Sequence, residues 1–180
     1  SEASPDVLQA FLLYYTKPFS GVVLTAFLQE WSKDRLLRTA CLYHTLRGRD
    51  PAGVPLAISA LGDPDHEARA LATGALGRLS KGEAGHRDAL VRALQDPWPA
   101  VRIAALRGFA DNAALAEPAT SDGLALLQDG HPQVRAEAIL RFTRRPHRDA
   151  EGPLAVLAGG DSSAWHQSLA IEALAALAVL

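Results

Sequence analysis

The amino-acid sequence predicts an all-α protein, a right-handed α-solenoid of about five two-helix units. Three observations predict this fold: a motif that returns every 33 residues, apolar residues spaced three and four apart, and a near absence of strand signals. No long run alternates apolar and polar residues with β-branched enrichment, as a strand would. The 180 residues, of which 48% are hydrophobic and 21% charged, suffice for an array of small stacked cores.

The repeated motif ends in an acidic residue that opens a turn. Its copies follow one another at steps of 33, 33, 33 and 32 residues and end at Glu30, Asp63, Asp96, Asp129 and Asp161. Such near-constant spacing indicates an internal repeat. We therefore expect one domain over residues 1–180, opening with an N-terminal capping helix at 1–18. The repeats that follow are expected at about 19–49, 50–82, 83–115, 116–148 and 149–180.

Each unit is predicted to contain a short apolar helix, a turn and a longer second helix. The first helices are expected at 54–61, 86–95, 124–128 and 154–158. The turns contain Asp, Gly and Pro, as in "GDPDH", "QDPWP" and "QDGHP". The second helices place apolar residues at helical spacing, for example Val101, Ala105 and Phe109. Because a lone helical hairpin cannot bury its apolar face, the units must stack on each other.

The turn Asp and an Arg six residues later form a recurring pair. The pairs are Asp63 with Arg69, Asp96 with Arg102, and Asp129 with Arg135. Together with a turn Pro and with Val-Arg and Ala-Leu on the second helix, these pairs resemble the HEAT-repeat family, in particular its short bacterial HEAT-like units. The resemblance covers nearly the whole chain and is weakest where Leu36 and Gln167 stand in place of the Arg. It implies a protein-binding scaffold in which the Asp and Arg residues form a ladder between successive repeats.

The ladder also has a physical reason that is independent of the family. An Asp just ahead of a helix can accept hydrogen bonds from the free N–H groups of the first helical turn. An Arg one and a half turns later can bind that Asp or the Asp of the next unit through its forked donors. The alternative is that Arg69, Arg102 and Arg135 form a phosphate-binding row. We favour the ladder because each Arg occurs together with its Asp.

No group of residues in the sequence predicts catalysis, a metal site or a cofactor. The six His residues lack His-x3-His spacing, and Cys41, the single cysteine, can form neither a zinc site nor an intrachain disulfide. The net charge of −2 provides no field that would attract nucleic acid or an anionic membrane. A lone cysteine fits a reducing compartment, so we expect a cytoplasmic protein. The excess of Arg over Lys indicates a bacterial source.

The most direct functional prediction is a non-catalytic scaffold that binds another protein. Two alternatives come from other classes of protein. HEAT-like repeats also occur in alkylpurine DNA glycosylases and in bilin lyases, so a lyase-like, chromophore-handling protein is one alternative. A nucleic-acid binder that acts through an Arg-rich rim is the other.

Two surfaces are candidates for the partner site. Basic residues crowd the far ends of the second helices, most densely at 141–148, although helix polarity accounts for much of this pattern. The inner face of the second helices, where Ala136 is expected to point away from the core, is the other surface. The predicted partner-binding residues are Trp98, Ile103, Arg107, Leu140, Arg144, Arg145, Arg148 and Trp165.

The last helix is apolar on nearly every side between Leu169 and Leu180. A solenoid needs a polar outer surface on its final repeat, because otherwise the last core stays open to water. We therefore expect that further repeats follow or that this end forms an interface, with Leu177 and Leu180 uncovered. Self-association through the C-terminal helix is the corresponding expectation.

Overall fold

The computed structural model describes residues 35–115, 120–160 and 163–179, which form helices and turns without a strand. The all-α prediction is therefore confirmed. The predicted capping helix at 1–18 and the beginning of the first unit lie outside the described residues. The helices are α1 (Arg35–Gly48), α2 (Val54–Ala60), α3 (His66–Leu79), α4 (Ala84–Ala93), α5 (Pro99–Asp111), α6 (Thr120–Ala125), α7 (Pro132–Arg144), α8 (Glu151–Gly159) and α9 (Ala164–Leu177).

The helices pair into hairpins that stack side by side. Helices α2, α4 and α8 each pack on the helix that follows them, and the short 3-10 turn Leu126–Gln128 after α6 packs on α7. The second helices, here called the inner helices (α1, α3, α5, α7 and α9), also pack on one another in chain order. The chain is thus a helical solenoid. The total of about five units stays a prediction, because the first lies partly outside the described residues.

The first helices differ in detail from their predicted bounds. The stretch expected as a helix at 124–128 is instead the end of α6 followed by a 3-10 turn. Helix α8 begins at Glu151, three residues before the predicted start, and includes Pro153. A proline is tolerated there because the first turn of a helix has no intrahelical partner for that N–H.

The core runs through the hairpins as a continuous cluster of buried residues from Ala57 to Ala173. Phe109 and Phe142 are its largest fully buried side chains. Between α3 and α5 the inner helices approach closely at two glycines. A Cβ atom placed on Gly77 would lie 2.6 Å from the Cα atom of Gly108. Small residues therefore set the distance between these hairpins.

Candidate functional site

One edge of the solenoid, where the turns lead into the inner helices, carries ion pairs between consecutive units. Arg69 donates from Nε and Nη2 to the two carboxylate oxygens of Asp96, at 2.9 and 3.1 Å. Arg102 donates from Nη2 to Oδ1 of Asp129 at 2.8 Å. Each Arg therefore holds the carboxylate that follows it by 27 residues, in the next unit of the stack.

The same Arg side chains also bind their own turns. Nη1 of Arg102 donates to the backbone carbonyl oxygens of Asp96 and Pro97, at 2.8 and 3.1 Å. Arg69 and Arg135 make the equivalent pair of bonds in their turns. Because these donors are used within the protein, the geometry disfavours a row of phosphate-binding arginines. We call the set of Asp and Arg contacts the ladder.

The turn Asp of the ladder is bound differently from our expectation. Oδ1 of Asp96 accepts the N–H of Trp98 at 2.8 Å, and Trp98 precedes the first residue of α5. Asp129 accepts the N–H of His131 at 2.8 Å in the same way. The prediction that the Asp caps the first turn of the helix is thus wrong for these turns. The side chain closes the turn two residues ahead, which fixes where the helix begins.

Electrostatics favours the charged form of the ladder carboxyls. Burial alone would raise the pKa of Asp96 and Asp129. Hydrogen bonds from Arg69 and Arg102, and from a backbone N–H in each turn, outweigh this effect. The pKa of both carboxyls therefore lies below the ordinary aspartate value.

The two ends of the ladder use other residues. In the first unit, where the sequence has Leu36 at the expected Arg position, Arg38 donates from Nε to Oδ2 of Asp63 at 2.9 Å. Arg35 binds the neighbouring Asp65 at 2.7 Å. In the last unit Gln167 donates to the carbonyl oxygen of Gly160 at 2.7 Å, which keeps the bond within the turn.

A second set of interunit contacts lies at the opposite edge, where the inner helices end. Asn112 donates from Nδ2 to the carbonyl oxygens of Gly77 and Ser80, at 2.8 and 2.9 Å. Arg145, which lies 33 residues after Asn112, donates from Nε to the carbonyl oxygen of Ala110 at 2.9 Å. These side chains satisfy carbonyls at the end of the preceding inner helix, where no intrahelical donor is available. Arg145, which we predicted to bind a partner, is half-buried and holds its own protein together.

The basic stretch at 141–148 is therefore less exposed than its sequence indicates. Arg141 is buried, and its guanidinium packs against Gly123. Arg144 is exposed but lies 3.2 Å from Asp111 and 3.8 Å from Glu137. Of the arginines in this stretch, only Arg148 is exposed without an ion pair among the described contacts. Most of the charges in this stretch are thus engaged within the fold, and its role as a docking surface for a partner stays a prediction that now rests on Arg144 and Arg148.

A long groove runs along the inner helices between these two edges. Its volume is about 1120 Å³. Small residues make up much of its wall, namely Ala70, Gly74, Ala100, Ala104, Gly108 and Ala136. Larger apolar residues extend from Leu46 on α1 to Trp165 on α9, and include Leu71, Ile103 and Leu140. Five consecutive inner helices thus contribute to one surface.

The groove includes four of the eight predicted partner-binding residues, namely Ile103, Arg107, Leu140 and Trp165. Trp98 does not line it, because its ring lies 3.8 Å from the ring of His66, at the ladder edge. Ala136, expected to point away from the core, lies in the wall of the groove and is nevertheless buried.

A buried carboxylate lies in the wall of the groove. Glu137 accepts a hydrogen bond from Nε of Arg107 at 3.0 Å, and Nη2 of the same Arg lies 2.9 Å away. Its other oxygen lies 3.8 Å from Arg144. Arg107, which we expected to face a partner, is therefore already paired.

The exposed residues of the last hairpin are not the ones that we expected. Leu169, Leu174 and Leu177 pack against the core, whereas Ile171 is 58% exposed. The prediction that Leu177 is uncovered is thus wrong, and Leu180 lies outside the described residues.

Among the described residues, no group of three His, Cys, Asp or Glu side chains could hold a metal ion. None of the helices that the structure describes is long and apolar enough to cross a membrane.

Stacked helical hairpins, joined by interunit ion pairs and lined by an open groove, define a helical repeat protein. Residues 22–110 match the family model of HEAT repeats, and this stretch of the chain belongs to the HEAT-repeat family. The resemblance seen in the Asp–Arg turns is thereby confirmed. HEAT repeats generally serve as protein-interaction scaffolds and are typically non-catalytic. A comparison with curated proteins finds no match for the chain.

Proposed function

We propose that this chain is a non-catalytic cytoplasmic scaffold that binds a segment of a partner protein in the groove. The observation that carries the proposal is the groove itself, to which five inner helices contribute. Its volume of about 1120 Å³ exceeds the roughly 300–1,000 Å³ of a small-molecule pocket. Three steps between neighbouring inner helices, from α3 to α9, span roughly 24–30 Å. That length suits a peptide or a helix of a partner.

Protein fits the groove better than nucleic acid does. Binding a nucleic acid requires several cations that are free to contact phosphates. In the groove wall Arg107 is already paired with Glu137, and nearby Arg144 lies against Glu137 and Asp111. Only Arg49 and Arg78 of the wall are without an ion pair among the described residues, which is fewer than a nucleic acid would need. Small side chains and exposed apolar groups, by contrast, allow the close approach of a polypeptide.

A bulky side chain in the groove tests the proposal. Ala100 is exposed and lines the groove near the start of α5, so Ala100→Trp should block it. Ala84 is also exposed, begins α4 and does not line the groove, so Ala84→Trp is the matched control. Both variants should keep the helical circular dichroism spectrum. We expect Ala100→Trp to lose a partner protein that the parent and the control retain from native cell extract. Equal retention by all three proteins would refute the groove as the binding site.

We also propose that the outer face of the last hairpin is a surface for self-association. Ile171 lies at the repeat position of Ile139 and Leu106, which are completely buried, whereas Ile171 is exposed. Fully burying an apolar side chain of this size contributes about 1.5–3 kcal/mol of stabilising free energy, which an exposed side chain does not provide. The sedimentation coefficient of the parent should therefore rise with protein concentration. Ile171→Glu should abolish this rise, whereas the control Ser168→Glu, on the same helix, should retain it. A parent that stays monomeric at every concentration would contradict this proposal.

A further inference from the structure

Two cations at one end of the groove have no partner among the residues that the structure describes. Arg49, just beyond the end of α1, and Arg78, in the last turn of α3, both line the groove and are exposed. Neither makes a side-chain hydrogen bond or an ion pair in the part of the chain that the structure describes. The other charged groups of the wall are engaged, since Arg107 pairs with Glu137 and Asp111 with Arg144. Arg49 and Arg78 are thus the two charged groups of the wall that no ion pair neutralises among the described residues, and both lie at the end nearest α1.

The opposite end of the groove has a different character. Gln133, Leu140 and Trp165 line this end, and Trp165 is 55% exposed. The one charged residue in the described lining of this end, Glu137, is buried and paired with Arg107. A ligand that matches both ends has anionic groups near Arg49 and Arg78 and bulky apolar groups toward Trp165. Charge complementarity of this kind selects among partners more than it adds affinity.

The backbone of Arg49 favours a role in binding rather than in folding. Its φ is 54°, and it is the one non-glycine residue with a positive φ among those described. An arginine is strained in this left-handed conformation, which glycine adopts freely at the end of a helix. Residues held in strained backbone conformations cluster at binding sites, where the strain positions a functional side chain. Here it places a guanidinium at the mouth of the groove.

From these observations we infer that Arg49 and Arg78 bind carboxylate side chains of an acidic peptide segment of the partner protein. The apolar side chains of the same segment lie along the groove toward Trp165. An extended segment of roughly 10–12 residues would cover the roughly 32–40 Å of four helix steps between α1 and α9. This inference rests on the proposed function, because it names the class of partner that the groove accepts.

Peptide selection tests the inference with a defined probe. Random peptides of about 12 residues are displayed and selected on the parent protein, with counter-selection on Ala100→Trp to remove those that bind elsewhere. The selected peptides are labelled with fluorescein, and their Kd values are measured by fluorescence anisotropy at low and high salt. The variants are Arg49→Gly and Arg78→Gln, alone and together. Arg92→Gln is the matched control, because Arg92 is exposed in the last turn of α4 and outside the groove.

We expect the selected peptides to carry Asp or Glu at one end and large apolar residues at the other. The double variant should raise the Kd of these peptides about tenfold at low salt, and the Kd should then depend little on salt concentration. The control should bind like the parent. Arg49→Gly should melt no lower than the parent, since glycine relieves the strain, whereas an arginine retained for stability would give a lower melting temperature.

The other outcomes separate this inference from the proposed function. If the groove-dependent peptides lack acidic residues, or if the two Arg variants bind them as the parent does, the inference is wrong while the groove remains a protein-binding site. If no selected peptide depends on the groove in the Ala100→Trp comparison, both proposals are wrong.

Discussion

The ladder makes a quantitative prediction for Arg102, whose replacement by Ala should strongly destabilise the fold. The change removes the bond to Asp129 and two bonds to carbonyl oxygens of the turn. The side chains of Arg102 and Asp129 are only 14% and 8% exposed, so the remaining carboxylate stays poorly solvated. Removing one partner of a fully buried pair costs about 3–5 kcal/mol, and an exposed pair contributes about 0–1 kcal/mol. We therefore expect a loss of about 2–4 kcal/mol for this largely buried pair.

Urea denaturation followed by circular dichroism measures this loss. For a chain of this length about 3 kcal/mol corresponds to a fall in Tm of roughly 6–12 °C. Arg92→Ala is the control, since Arg92 is exposed and its side chain has no ion pair in the described region. A double-mutant cycle with Asp129→Ala should give a coupling free energy of about 1 kcal/mol or more.

The ladder contribution should also depend on pH. The folded-state pKa of Asp129 is lowered, so its stabilising effect is fully present above the unfolded value of about 3.9. It is lost as the pH falls through the lower folded value, when the carboxyl becomes protonated. The stability difference between the parent and Arg102→Ala should therefore narrow below about pH 4. A variant within about 0.5 kcal/mol of the parent at pH 7, or a difference that is unchanged at pH 3, would refute the reasoning.

Three further predictions concern other parts of the fold. Gly77→Ala should destabilise by about 1–3 kcal/mol in urea, because its Cβ would meet the backbone of α5. A Cβ atom on Gly85 would have nothing within 4 Å, so Gly85→Ala should raise the free energy of unfolding by several tenths of a kcal/mol. A similar loss of stability in the two glycine variants would contradict the packing argument. Burial raises the pKa of the Cys41 thiol to about 12, so a thiol reagent at pH 8 should label it only after unfolding, and rapid labelling of the native protein would contradict this. Arg145→Ser should lower the free energy of unfolding by about 1–2 kcal/mol, whereas Arg148→Ser should leave it almost unchanged. Equal stabilities of the two variants would refute the contact of Arg145 with the helix end.

The sequence was sufficient to predict the fold because the same local signals recur at a fixed spacing. Asp96 and Asp129 each precede a proline-started helix by three residues, and Arg102 and Arg135 follow them by six. One copy would be a weak pattern, but repetition makes chance agreement implausible. Where the residue pattern breaks, as at Leu36, the prediction fails: Arg38 binds Asp63 from a position two residues away from the expected one.

The contacts at the other edge could not be predicted from self-similarity. Asn112 and Arg145 occupy equivalent positions, and each donates a hydrogen bond to a carbonyl oxygen at the end of the preceding inner helix. An amide and a guanidinium share no sequence pattern, because the carbonyl requires only a donor. The sequence predicts that Arg145 binds a partner because an arginine near a helix end is expected to be solvated, and only the fold shows which carbonyl it contacts.

The inner helices separate positions that maintain the stack from positions that can distinguish a partner. The fully buried position that faces the core is alanine in four consecutive inner helices: Ala72, Ala105, Ala138 and Ala170. Two residues later, toward the groove, the chain has four different residues: Gly74, Arg107, Leu140 and Glu172. The first three of these line the groove. Stacking imposes one side-chain volume on these four helices, so the packed position is repeated. A groove built from identical units would present the same chemistry along its whole length and could not fix the register of a ligand. The variation at this position is what a site needs in order to hold one segment in one orientation, and it favours a specific partner over a generic apolar surface.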